Sequence, residues 1–184
     1  MMMMTHTNEE MLAASADMTA VSGVVEVNTP VAVLWECFTQ AHHWPHWNAC
    51  MFWVRNHDLV LGQQLVWAFQ PIRRRYLYKL PGIAKIVEVE KNHKVTWEVT
   101  AVPGFYARHT YFMQEITAES CRFGSYEKAM GPTFRQLQRF WLAHFMFVKD
   151  RSLEGACYLE EMYQATGQLQ FPGSLPLPIR QGAK

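Results

Sequence analysis

Six strand-like segments follow one another between residues 50 and 130, with only short turn signals between them. The segments are rich in β-branched and aromatic residues, and their sequences are MFWVRNH, QLVWAFQ, AKIVEVE, KVTWEVTAV, YARHTYFMQEI and CRFGSYEKAM. The turn signals are Leu61-Gly62, Pro81-Gly82, Lys91-Asn92, Pro103-Gly104 and Ala118-Glu119. Because short connections join antiparallel neighbours, the pattern predicts an antiparallel meander and argues against a parallel sheet with helical crossovers.

Helical patterns flank this meander on both sides. Before it, the strand-like VSGVVEVN (21–28) leads into a short helix that begins near Pro30, and a second short helix or turn follows around Pro45. After it, apolar residues recur at helical spacing from Thr133 to Thr166. A sheet with one apolar face needs a cover, and this last helix is the longest candidate. We therefore predict an α+β fold in which a seven-stranded antiparallel sheet wraps around a long C-terminal helix, with two short helices after the first strand.

The length of 184 residues and the 49% of apolar residues fit one domain with a substantial core. Residues 1–19 show no periodicity and are predicted to form a mobile N-terminal arm. The domain is predicted to span residues 20–166, and residues 167–184 form a tail rich in proline and glycine.

Charge and motif content argue against several classes of function. The net charge of +1 and the single short basic run, Arg73–Arg75, do not favour a nucleic-acid partner. We expect no stable membrane insertion and a cytoplasmic location, because the sequence has no apolar run of membrane-spanning length and no signal-peptide pattern. The four cysteines form no C-x-x-C pair, and no phosphate-binding loop or serine-hydrolase elbow is present. We expect no cofactor.

Two motifs resemble the START-like, or SRPBCC, superfamily, which includes polyketide cyclases and lipid-transfer-like proteins and shares the helix-grip fold of the major birch pollen allergen. The first is VEVNTPVAVLW at positions 25–35, and the second is the W-P-x-W-N corner at positions 44–48. The resemblance implies a cavity between the sheet and the C-terminal helix for an apolar or amphipathic ligand. It does not imply a reaction, because the superfamily contains carriers, sensors, cyclases and subunits without catalysis.

Strand alternation places two ionisable residues on what is predicted to be one face of the sheet. His109 shares a face of its strand with Tyr111 and Met113, and Glu127 shares a face of the next strand with Ser125. A carboxylate and an imidazole side by side in an apolar cavity can act as acid and base near neutral pH, so His109 and Glu127 are the catalytic candidates. The alternative is that they satisfy each other as a buried pair, or orient the polar end of a ligand.

The predicted ligand-binding residues combine these groups with large side chains that can line a pocket. They are Trp67, Trp97, His109, Tyr111, Met113, Glu127, Phe134, Trp141 and Phe145. For the apolar members of this set, ordinary core packing is the alternative.

Two further patterns are less specific. His42, His46 and Cys50 are spaced by four residues, as metal ligands on a helix would be, but Pro45 interrupts the helical register. We therefore predict no metal site there. The run Arg73–Arg75 could hold a carboxylate or phosphate at a pocket mouth, or form a solvated loop.

The sequence thus favours binding of a hydrophobic or amphipathic small molecule, as a carrier or sensor. One alternative is a cyclase-like or dehydratase-like enzyme that acts on a polyketide-type carbonyl compound through His109 and Glu127. Another is a module without a pocket that forms a homodimer through the wide aromatic face of the last helix, which includes Phe140, Met146 and Phe147.

Overall fold

Seven strands and four helices organise residues 19–69, 80–99 and 103–171, which are the residues that the computed structural model describes. The strands are β1 (Thr19–Val27), β2 (Met51–Val54), β3 (Gln64–Phe69), β4 (Leu80–Glu90), β5 (Lys94–Val99), β6 (Tyr106–Thr117) and β7 (Ser120–Met130). The helices are α1 (Val31–Thr39), α2 (Trp44–Trp47), α3 (Pro132–Gln136) and α4 (Gln138–Thr166), and a 3₁₀ turn (Ala41–His43) precedes α2.

The seven strands form one antiparallel sheet in the order β1-β7-β6-β5-β4-β3-β2. Strands β2 to β7 are a meander, and β1 closes the order by pairing with β7 along nine residues. The sheet curls into a half-barrel, and α4 packs against it mainly over β1 and β7. The predicted fold class is therefore confirmed.

The segment predicted as one helix from Thr133 to Thr166 is divided at Leu137. The backbone of Leu137 leaves the helical region, with φ −112° and ψ 22°, so α3 ends there and α4 begins at the next residue. The hydroxyl of Thr133 donates to the carbonyl of Pro103 at 2.6 Å, which ties α3 to the turn between β5 and β6. The short helix α3 is thus anchored at the edge of the sheet, while α4 crosses the sheet.

The dipeptide Pro81-Gly82, predicted as a turn signal, lies inside β4. Gly82 pairs with Trp67 of β3, and the indole of Trp67 covers it. A β-carbon at position 82 would lie 2.3 Å from that ring, so only glycine admits this contact. The turn interpretation was wrong for this pair.

The tail contributes to the core at its start. Gly167 ends α4 in the left-handed conformation, with φ 70°, and the chain then runs without regular structure to residue 171. Leu169 and Phe171 are nevertheless buried in the main apolar cluster. The predicted arm up to residue 18, the run Arg73–Arg75 and the tail beyond residue 171 lie outside the described residues.

A close contact between α4 and α2 fixes the position of the long helix. Gly155 lies against Trp47, and a β-carbon at 155 would lie 2.6 Å from its ring and 2.8 Å from its carbonyl oxygen. Ser152 and Ala156, which neighbour Gly155 on α4, are also buried. The small side chains on this face of α4 allow the W-P-x-W-N corner, which ends at Asn48, to lie close to the helix.

Candidate functional site

Two apolar clusters lie between the sheet and α4, and buried polar residues lie between them along β6 and β7. On β6, Ala107 belongs to the smaller cluster and Tyr111 to the larger one, with His109 between them. Ser125 and Glu127 occupy the corresponding stretch of β7, between Phe123 of the larger cluster and Ala129 of the smaller one. Buried polar groups in such a position need partners, so their hydrogen bonds define what this region can do.

His109 and Glu127 face each other across the β6–β7 ladder. They are register partners, and Nδ1 of His109 lies 3.3 Å from Oε2 of Glu127. The two residues are 5% and 8% exposed. On the other side of His109, Trp97 of β5 is its register partner, with the ring centroids 5.2 Å apart. The structure thus brings the two catalytic candidates together, next to an aromatic wall.

Ser125 completes a hydrogen-bonded row with this pair. Its Oγ lies 2.9 Å from Nε2 of His109, and it also hydrogen-bonds to the hydroxyl of Tyr111. When Nδ1 of His109 donates to Glu127, the neutral ring accepts the Ser125 hydroxyl proton at Nε2. When the ring is doubly protonated, Nε2 donates to Ser125, whose own proton turns toward Tyr111. Rotation of one hydroxyl therefore accommodates both charge states of His109.

A second buried chain connects the sheet to α4 and to the corner after α2. Ser152 donates to the carbonyl of Val148 at 2.8 Å, so its oxygen accepts from the Tyr111 hydroxyl at 2.7 Å and from Nδ2 of Asn48 at 3.1 Å. Oδ1 of Asn48 in turn accepts from the backbone N–H of Cys50 at 3.1 Å and from its thiol at 3.0 Å. Each of the polar side chains in this chain of hydrogen bonds, those of Tyr111, Ser152, Asn48 and Cys50, has a partner.

Burial keeps the ends of this second chain uncharged. It raises the pKa of the Tyr111 hydroxyl far above its ordinary value and raises the pKa of the Cys50 thiol to about 12. Neither group titrates near neutral pH, so we assign this chain a structural role that holds Tyr111 and α4 in place.

Sequence reasoning missed His144, which is 6% exposed and belongs to the same region. Its ring stacks on Phe69 of β3 at 4.5 Å. Burial lowers the pKa of His144 from 6.5 to about 4; nearby Glu127 opposes this shift and His109 adds to it. The residue directly precedes Phe145, which was predicted to bind ligand, but the direction in which position 144 faces depends on the rotation of α4 over the sheet. The helical pattern, which counts apolar residues, passes over a histidine.

The predicted ligand-binding residues lie on both sides of the polar region. Trp67, Trp97, Tyr111 and Met113 are in the larger cluster, and Phe134 and Phe145 are in the smaller one, with Trp141 packed against it. Contacts join neighbours within each group: the rings of Trp67 and Trp97 are 6.4 Å apart, and those of Trp141 and Phe145 are 6.1 Å apart. Met113 is the most remote from His109 along β6 and packs entirely within the larger cluster. Contact between these side chains and a ligand stays a prediction.

The histidines near α2 pack on one another and on the tail. The rings of His42 and His43 are 3.8 Å apart, and Phe171 stacks on His46 at 5.5 Å. Nδ1 of His42 hydrogen-bonds to the carbonyl of His57 at 3.1 Å. Within residues 19–69, 80–99 and 103–171, no three histidine, cysteine or acidic side chains are arranged to hold a metal ion.

Two other features bear on binding. A cavity of about 250 Å³ lies at the end of α4, lined by Met162, Thr166, Gln168 and Gln170, and it is separate from the His109–Glu127 region. Among the helices that the structure describes, none is long and apolar enough to cross a membrane.

Comparison with solved structures shows that this chain has the same fold as several proteins in which a curved sheet holds a long helix. The Zhui aromatase/cyclase from Streptomyces sp. R1128 superimposes with a TM-score of 0.68 at 10% identity, covering 82% of this chain and 98% of that one. Norcoclaurine synthase from Thalictrum flavum in complex with dopamine and hydroxybenzaldehyde gives 0.51 at 16% identity, over 74% and 87%. A START superfamily protein from Mycobacterium smegmatis gives 0.52 at 14% identity, over 73% and 97%. No family model and no curated protein matches the sequence.

Proposed function

We propose that the protein binds a hydrophobic or amphipathic small molecule between the sheet and α4. The apolar part of the ligand would lie against the aromatic residues of the two clusters, and its polar end would meet His109 and Glu127. The observation that carries this proposal is the buried pair itself, which lies between two apolar clusters. Nδ1 of His109 and Oε2 of Glu127 are 3.3 Å apart. A few polar groups in largely apolar surroundings are typical of small-molecule sites.

The comparisons add support at the level of fold. The neighbours include an aromatase/cyclase and a synthase whose structure holds two small aromatic molecules. Because these likenesses are at 10% and 16% identity, they support a site of this kind without specifying its ligand.

Native mass spectrometry of gently purified protein tests the proposal. We expect a mass excess over the polypeptide, and solvent extraction should release a compound of low polarity. Hydrophobic fluorescent probes should compete with it. A tight homodimer with no retained compound and no probe binding would contradict the proposal and favour the pocketless module, which would use the exposed side chains of Phe140 and Met146.

A second candidate function is proton transfer on a carbonyl compound, in a cyclase-like or dehydratase-like step. The Ser125 hydroxyl favours it, because its rotation lets His109 exist with or without a second proton. In a dehydration, the pair would take a proton from the carbon beside the carbonyl and donate one to the hydroxyl group two carbons away. The C–O bond then breaks, and water and an enone are formed.

Replacing Glu127 with Gln tests this second function, because the volume is kept and the titrating group is lost. Incubation with a 1,3-diketone in D₂O should show wild-type acceleration of deuterium exchange at the central carbon by NMR. The Glu127→Gln variant should lose about 100-fold of that acceleration. Glu115→Gln, on the exposed end of β6, is the control and should exchange like the wild type. If the wild type gives no acceleration, or Glu127→Gln retains it, the enzymatic reading fails and ligand binding stands alone.

A further inference from the structure

Three buried nitrogens on α4 have no hydrogen-bond partner among the described residues, and two of them lie close together: Nε1 of Trp141 and Nδ1 of His144. The third, Nε of Arg151, lies about two turns further along the helix. The two rings meet edge to face, with centroids 6.0 Å apart and planes at 72°. An unpartnered buried donor or acceptor costs about 1 to 3 kcal/mol. Two such groups lie close together, and one of them, His144, is within electrostatic reach of Glu127 and His109. They therefore call for a partner that the described residues do not supply.

Aromatic rings surround these two nitrogens. Phe105 lies 4.6 Å from Trp141 and Phe69 lies 4.5 Å from His144, centroid to centroid. Phe145 is 6.1 Å from both. Ring faces on several sides suit a planar apolar body, which could stack or pack edge to face against them.

The local charge restricts the polar group that such a body can carry. Glu127 and His109 are the ionisable groups that act on His144, and burial holds His144 neutral near pH 7 because its pKa is lowered to about 4. The carboxylate of Glu127 would repel a ligand carboxylate, and the neutral ring of His144 would offer it no electrostatic attraction. An uncharged oxygen accepts the indole N–H of Trp141, and a hydroxyl can also donate.

We propose that Trp141 and His144 bind the hydroxyl or carbonyl oxygen of an uncharged aromatic ligand and select it over the corresponding carboxylate. This assignment rests on the proposed ligand-binding function and specifies the class of ligand. The two side chains present the polar anchor from α4, opposite the pair on the sheet. The aromatic body lies among Phe69, Phe105 and Phe145.

Isothermal titration calorimetry with three matched probes tests the assignment: 2-naphthol, 2-naphthoate and naphthalene. The wild type should bind 2-naphthol about tenfold more tightly than either of the others, since one buried hydrogen bond contributes on that order. Trp141→Phe and His144→Phe keep a ring and remove the nitrogen, so each should weaken 2-naphthol about tenfold and leave naphthalene within about twofold. Trp53→Phe makes the same change at an exposed position on β2 and should alter neither.

The outcomes separate this assignment from the proposed function. Equal binding of 2-naphthol and 2-naphthoate, or equal losses for 2-naphthol and naphthalene in both variants, would overturn the assignment and leave hydrophobic binding intact. If the wild type bound none of the three probes, both proposals would fail. Circular dichroism of the two variants establishes that they are folded, and each reports on its own nitrogen, so the failure of one to fold leaves the other as the test.

Discussion

Replacement of Ser152 with alanine is expected to lower the free energy of unfolding by about 3 kcal/mol. The Ser152 hydroxyl accepts from Tyr111 at 2.7 Å and from Asn48 at 3.1 Å, and it is completely buried. Alanine would remove the acceptor of both donors, which leaves Nδ2 of Asn48 unpaired and the Tyr111 hydroxyl with Ser125 alone, and a buried donor left unpaired costs about 1 to 3 kcal/mol. Urea denaturation at pH 7 measures the difference directly.

Two comparisons show whether that loss arises from the unpaired donors. Tyr111→Phe removes one donor in advance, so Ser152→Ala should be less destabilising in that background than in the wild type. Ser120→Ala removes a hydroxyl from an exposed pair with Thr117 and should change the unfolding free energy by less than about 0.5 kcal/mol. If Ser152→Ala were as mild as Ser120→Ala, the buried chain would not hold α4 in place as we describe.

The sheet and the pairing of His109 with Glu127 were accessible from the sequence because both depend on short-range rules. Side chains alternate along a strand with a period of two, and the tight turn at Ala118-Glu119 sets the register of β6 against β7. The turn pairs Thr117 with Ser120, and an irregularity between Glu115 and Thr117 then shifts the register by one residue. Residues nine positions before and nine positions after Ala118 therefore lie opposite each other. No knowledge of the helix is needed.

The partners of α4 were not accessible in the same way. Asn48 and Ser152 are 104 residues apart in the chain, and their contact depends on how the helix is rotated over the sheet. That rotation is decided by close packing, such as Gly155 against Trp47, which no periodicity encodes. His144 was missed for the same reason: whether position 144 faces Phe69 or solvent depends on the rotation and not on the residue type.

Irregular backbone was the other source of error. Leu137 interrupts an apolar pattern that continues through it, so the pattern could not reveal that α3 and α4 are separate. Pro81-Gly82 has the composition of a turn, yet it lies within β4, where the absence of a side chain at Gly82 leaves room for the ring of Trp67. Leu169 and Phe171 follow α4 in a segment with no periodic spacing of apolar residues. They are buried because they pack against the larger apolar cluster, which the local sequence does not reveal.

Stability is expected to fall by roughly 3 kcal/mol between pH 6.5 and pH 4 on account of His144 alone. The pKa of His144 is lowered from 6.5 to about 4 in the folded protein, so unfolding takes up a proton at any pH between these values. The contribution is fully present above pH 6.5, declines as the pH falls, and is lost below about pH 4. His43, whose pKa is also lowered to about 4, acts in the same direction, so the wild-type curve should fall further still.

Variants at position 144 isolate the share that belongs to this histidine. His144→Phe keeps a ring against Phe69, and His144→Gln keeps a hydrogen-bonding group, so their stabilities at pH 7 should differ from each other. Neither side chain titrates, however, and the two curves of unfolding free energy against pH should run parallel. Both should be flatter than the wild-type curve by roughly 3 kcal/mol between pH 6.5 and pH 4. If the wild-type curve had the same slope as the variants, the pKa of His144 would be the same in the folded and unfolded chains. That result would contradict the lowered pKa of His144, on which the preference for an uncharged ligand depends.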